Sequence, residues 1–145
     1  MENIKKQLAE LFVNKLPPIS ASAKELFVKF LPWVVMIFGA LGLFGWLASL
    51  PLFFGAAGIF AHSGAIYPVL FVVHMIIAPI SSGLGLYGGY LMLSRQQKGW
   101  NLIFYSLMIG FISTILSFSI VGLLVNCIFG YLLFQIQDQY FSSKA

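Results

Sequence analysis

The sequence predicts an all-α, polytopic membrane protein: four transmembrane helices preceded by amphipathic interfacial helices. Two observations predict it. The eight basic and four acidic residues all lie outside two long apolar stretches, 30–94 and 99–137. A charged side chain at the bilayer centre costs about 2.5–3.5 kcal/mol on insertion scales, so charge-free runs of this length read as membrane spans. The chain is also 60% hydrophobic and only 8% charged, with mean hydropathy +0.96. A soluble domain carries about a quarter charged residues. The 145 residues suit one bundle in lipid, with no separate soluble domain.

Three regions follow: an amphipathic membrane-surface region (1–30), a four-helix transmembrane bundle (31–137) and a short cytoplasmic tail (138–145). In residues 1–16, Ile4, Leu8, Leu11, Phe12 and Leu16 fall near one helical face, with Lys5, Lys6, Glu10 and Lys15 elsewhere. Pro17 and Pro18 end that helix. Ser22 and Glu25 have capping-box spacing, so a second short helix is expected from Ser22 towards Pro32. Amphipathic helices carrying lysines beside a span lie in the headgroup plane. They can also dock a cytoplasmic partner. The first apolar run is too long for the core of a cleavable signal peptide and leads into further spans.

Span one is expected over 32–50, with Pro32 in its first turn and Trp33 at the interface. Residues 52–65 are apolar, glycine-rich and uncharged, and read as an exposed or interfacial loop around His62-Ser63-Gly64. A kinked extension of the span or a re-entrant segment are the alternatives. Span two (66–94) is longer than a ~30 Å hydrocarbon core requires and is kinked at Pro79, which cannot donate to the carbonyl of Met75. A polar loop from Arg95 to Gly99 follows, and Trp100 anchors the next span. Residues 101–136 hold neither charge nor proline, yet one helix of that length would reach about 54 Å. Two spans, 101–116 and 119–136, joined near Ser117-Phe118-Ser119, fit better. Five lysines precede the first apolar stretch, and Arg95 and Lys98 separate the two stretches. The excess of basic residues beside cytoplasmic loops then places both termini inside.

Small residues recur at four-residue spacing: Ser81, Gly85 and Gly89 in span two, Ser106 and Gly110 in span three, Gly122, Asn126 and Gly130 in span four. Such faces let helix backbones approach closely in lipid, within the chain or across a homodimer. His74 is the only ionisable Asp, Glu, Lys, Arg or His inside a span. The simpler reading is a neutral imidazole bonded to backbone or hydroxyl; the functional one is a polar centre of His74, Ser81 and Asn126. Ser106, Ser113, Thr114 and Ser117 serve as interhelical glue or line a path for a small polar solute. Cys127, the single cysteine, allows no intrachain disulfide and no Cys-based cluster. The pI near 9.3 arises from lysines that border apolar segments, which suits anionic lipid rather than nucleic acid. No catalytic set, phosphate-binding glycine loop or dinucleotide fingerprint occurs, so neither enzymatic activity nor a cofactor or metal is expected.

Three stretches carry a resemblance: Leu31-Pro32-Trp33, KGWNLIFYS at 98–106 and YLLFQIQDQYF at 131–141. Through them residues 16–141 resemble a group of small, uncharacterised bacterial four-span membrane proteins, in which a basic loop and Gly-Trp open a terminal helical hairpin. The resemblance implies a four-helix integral membrane protein and supplies no catalytic or binding residues. The sequence therefore points first to a non-enzymatic structural or partner-binding bundle, with membrane lipids, a second copy or a membrane protein as partners. A channel or carrier for a small neutral or lipophilic solute is the alternative. A third is a quinone- or lipid-binding protein with an apolar cleft beside His74.

Overall fold

A computed structural model describes residues 3, 5, 7, 10, 17–60 and 66–141, with residues 53, 56–60, 66–71 and 74 described by backbone alone. It contains five helices beyond residue 20: α1 Ala21–Phe60, α2 Ile66–Leu93, α3 Gln97–Leu116, α4 Ile120–Gln135 and the short α5 Asp138–Phe141. No strand occurs among the described residues. Ala21–Leu52, Met75–Leu93 and Gln97–Leu116 are long and apolar enough to cross a membrane, while Ile120–Gln135 is a shorter apolar helix. Its 16 residues rise about 24 Å, short of a ~30 Å hydrocarbon core. Neighbours in sequence pack as neighbours in space: α1 on α2, α2 on α3, α3 on α4, with α5 returning to α3.

The first helix differs most from expectation. A short helix stopping towards Pro32, a span over 32–50 and a loop after Pro51 are replaced by one 40-residue helix with Pro32 and Pro51 inside it. An interior proline removes one backbone bond and costs about 3 kcal/mol in water. In an apolar medium, breaking the helix would bare several peptide groups instead, so the helix runs on. Its start also differs. Ser20, not Ser22, caps it, accepting from Ala23 N at Oγ (3.4 Å) and from Lys24 N at its carbonyl (3.0 Å). The loop core His62-Ser63-Gly64 and most of the helix expected over 1–16 lie outside the described residues.

Two reversals use the same device. Arg95 (φ 51°) and Phe118 (φ 48°) adopt left-handed backbone, the conformation that most often follows a helix C-terminus and usually belongs to glycine. At the first, Arg95 N donates to Met92 O (2.9 Å) and Gln96 N to Leu91 O (3.2 Å). At the second, Phe118 N donates to Ile115 O (3.1 Å) and Ser119 N to Thr114 O (3.0 Å). Ser119 then caps α4 by accepting from Gly122 N at 3.1 Å. The polar loop expected from Arg95 to Gly99 thereby shrinks to three residues, and Gln97, Lys98 and Gly99 enter the first turn of α3. Gly99 makes this possible: a Cβ there would lie 2.6 Å from Met92 N and 2.8 Å from Gly88 O.

Among the described residues the densest packing sits at the end holding the Arg95 reversal. Val28, Leu31, Met92, Trp100, Phe104, Leu133 and Tyr140 form its core. Trp100 stacks on Phe104 (5.7 Å between centroids), meets Phe134 and Phe141 edge-on, and donates to Leu133 O at 2.9 Å. That carbonyl belongs to the last turn of α4, where intrahelical donors run out. Lys5 Nζ donates to Asn101 Oδ1 at 2.6 Å beside the Trp100, Phe104 and Tyr105 rings. Three further ties join the two ends of the chain: Tyr131 Oη to Pro17 O (2.6 Å), Ile19 N to Gln135 Oε1 (3.4 Å) and the Lys24–Asp138 ion pair (3.0 Å).

The tail after residue 137 begins with a packed turn. Tyr140 is 2% exposed, and its Oη has no hydrogen-bond partner among the described residues. Burial pushes its phenol from 10.0 up to about 12, with the nearby Arg95 charge opposing the shift. The folded chain therefore keeps a proton that the unfolded chain loses above pH 10. Stability is full below pH 10 and falls as pH rises towards 12. Tyr140→Phe is expected to remove that alkaline loss while leaving stability at neutral pH unchanged or slightly raised, as read from unfolding midpoints across pH 8–12.

Candidate functional site

α2 carries two adjacent hydroxyls, Ser81 and Ser82, just beyond Pro79. Ser81 forms a clasp with α3. Ser106 Oγ donates to Ser81 O at 2.9 Å, and the two hydroxyls lie 3.1 Å apart. Such interhelical bonds contribute about 0.6 kcal/mol each on average, so the clasp fixes register more than stability. Between α3 and α4 the small residues interdigitate with larger ones: Asn126 sits over Gly110, and Thr114 over Gly122. Thr114 Oγ1 donates back to Phe111 O at 2.9 Å. Asn126 Nδ2 donates to Gly122 O at 2.9 Å, and its Oδ1, facing Gly110, accepts no hydrogen bond among the described residues.

These groups surround a cavity of about 330 Å³, floored by α2 and α3 and flanked by Gly42 of α1 and Asn126 of α4. Ser81, Ser82, Ser113 and Thr114 supply its hydroxyls, and among the described residues no charged side chain lines it. A second cavity of about 270 Å³ shares Ser81 and Ser82 as a wall and extends towards Gly85 and Ser106 under Phe38 and Phe129. The Phe38 and Phe129 rings meet edge-on at 6.3 Å, joining α1 to α4. At 1.5 Å per residue, Ser81 lies about 20 Å along α2 from the Arg95 reversal, and Ser113 about one turn from the Phe118 reversal.

Of the polar centre expected from the sequence, Ser81 and Asn126 share this cavity. The backbone of His74 lies in α2; its side chain, like His62 as a whole, is outside the described residues. Among the packing residues, Gly89 meets Pro32 and Met36 of α1, Gly85 lies loosely between Val35 and Ser106, and Gly110 and Gly122 pair α3 with α4. Gly130 is buried on α4.

One contact was not anticipated. The Met75 carbonyl, left without its helical donor by Pro79, accepts from the Trp46 indole Nε1 of α1 at 2.8 Å. Ser49 Oγ, bonded to Trp46 O at 2.6 Å, braces the same spot from one turn further on. An indole in the middle of an apolar run rather than at its ends was the available signal, because buried indole N–H groups require an acceptor.

The cavity can hold a neutral molecule that donates and accepts hydrogen bonds; its described residues offer no counter-charge for an ion. Among the described residues no group of three or more His, Cys, Asp or Glu side chains could hold a metal. Cys127 is free and half-buried beside Asn126. No known protein family, curated protein or solved structure matches the chain.

Proposed function

We propose that the chain is a non-enzymatic four-span bundle of a bacterial inner membrane, with both termini cytoplasmic, whose cavity passes a small neutral solute as a channel or carrier. The observation that carries this reading is the hydroxyl-lined 330 Å³ space beside the unpaired Oδ1 of Asn126. Asn126 is half-buried, and an amide oxygen without a donor is costly in an apolar medium, so water or a solute completes it. The fourth crossing rests on α4 together with the ties that bring residues 17–24 to residues 131–138. Local thinning of the bilayer accommodates a short span at modest cost.

Proteoliposomes containing the full chain test the reading through light-scattering uptake of glycerol and urea. Both are expected to enter faster than into protein-free vesicles, and Asn126→Leu is expected to lower the gain about tenfold, the equivalent of one lost hydrogen bond. In a Cys127→Ala background, Ser113→Cys should react with a water-soluble methanethiosulfonate while the lipid-facing Ile112→Cys does not. Uptake equal to that of empty vesicles, together with equal reactivity at the two positions, would overturn it.

A structural or partner-binding bundle is the second reading. Phe30, Trp33, Ile37, Leu41 and Phe44 form a stripe along α1, each more than half exposed. In a membrane such a stripe faces lipid or another helix. Cross-linking from native membranes separates the two: a reproducible adduct at this stripe supports a partner, and its consistent absence removes this reading.

A further inference from the structure

A different part of the molecule combines charge with an apolar floor. Beside the Arg95 reversal, a crevice of about 260 Å³ is lined by Val28, Lys29 and Trp33 of α1, Met92 and Leu93 of α2, and Arg95. Val28 and Met92 are buried, whereas Trp33 and Leu93 remain open on the outer side. Among the described residues no carboxylate lines the crevice. Two other cations at this end are already engaged, Lys24 by Asp138 and Lys5 by Asn101, while Lys98 lies outside the crevice. Lys29 and Arg95 have no acidic partner among the described residues; Glu25, one turn before Lys29, forms no ion pair with it.

The backbone adds a second observation. Arg95 occupies a left-handed position (φ 51°) where glycine is the least strained residue. A long cationic side chain at a glycine-type position, on a residue that lines a crevice, points to a role for the charge. The C-terminus of α2 is unfavourable ground for an anion, but Leu91 and Met92 have their carbonyls covered by the reversal's own N–H groups.

We infer that Lys29 and Arg95 bind the phosphate of an anionic glycerophospholipid, with Trp33 at the glycerol level and Val28 and Met92 beneath the start of the acyl chains. The open apolar side of the crevice selects a lipid over a free anion. Paired basic residues between helices at a membrane surface are suited to this recognition, each contributing about 1 kcal/mol, or about fivefold in affinity.

Native mass spectrometry of the full chain in detergent, titrated separately with phosphatidylglycerol and phosphatidylcholine, tests the site. Wild type is expected to retain phosphatidylglycerol preferentially. Lys29→Gln and Arg95→Gly should each lower that preference about fivefold, and the double variant should abolish it. Arg95→Gly relaxes the backbone, so its unfolding midpoint should hold or rise while binding falls, separating charge from folding. Lys98→Gln, on the same surface but outside the crevice, should leave the preference intact. Equal retention of the two lipids, an undiminished preference in the double variant, or an equal loss in Lys98→Gln would overturn the site. Displacement of phosphatidylglycerol by inorganic phosphate at matched concentration would overturn the assignment to lipid.

Discussion

Gly39→Val is expected to separate α1 from α2 and to lower stability by about 3 kcal/mol, at the upper end of what overpacking a close contact costs. A Cβ at Gly39 would stand 2.9 Å from both Leu86 N and Ser82 O and 3.2 Å from Leu86 Cα. All three are backbone atoms of α2, which cannot rotate aside as a side chain would. The helices must move apart, and the displacement reaches Ser82 and the cavity wall it forms. Gly45→Val provides the control, because no atom lies within 4 Å of a Cβ built there. Unfolding in mixed micelles of mild detergent and dodecyl sulfate should show a large loss for the first variant and none for the second. Equal midpoints would mean that α1 and α2 are not held by this approach.

The second large effect concerns the carbonyl exposed by the kink. Trp46→Phe keeps most of the ring's apolar area but removes the donor to Met75 O, and is expected to cost about 2 kcal/mol for an unsatisfied group in an apolar setting. Pro79→Ala supplies a peptide N–H to the same carbonyl. In the Pro79→Ala background, Trp46→Phe should therefore cost less than half as much, a coupling that only residues sharing one acceptor produce. The same micelle titration reads all four proteins. A full, additive loss in the double variant would show that the indole bond and the proline act independently.

Much of the architecture was legible because charge is decisive in an apolar medium. Arg95 and Lys98 marked the α2–α3 reversal, and length alone required a break in 101–136. That break falls at Ser117-Phe118-Ser119 without a glycine, since Ser119 both closes α3 and caps α4. The continuation of α1 beyond Pro51 was open only as an alternative to a loop, and its merger through Pro32 with the preceding short helix was not legible. The rule that proline ends a helix describes competition with water, and lipid removes the competitor. At the candidate site, spacing identified Ser81 and Asn126, whereas the pairing of Trp46 with Met75 joins residues of two helices by a side chain that periodicity treats as merely apolar. The unoccupied Oδ1 of Asn126 was likewise invisible to spacing, because it depends on how the neighbouring glycine of α3 is approached.

The uneven distribution of the core sets how the molecule can deform. Among the described residues, the Trp100 aromatic cluster, the Lys24–Asp138 pair and the links from residues 17–19 to α4 gather at the Arg95 end. At the other end Phe118, Ile120 and Val121 are 91%, 75% and 72% exposed, and the α3–α4 reversal is three residues long. Regions with few buried contacts open at the lowest free energy. Opening of α3 from α4 is therefore expected to begin at the Phe118 reversal, like tongs hinged where the aromatic core grips them. The hydroxyl-lined cavity lies towards those tips, so its volume is expected to change most as they part.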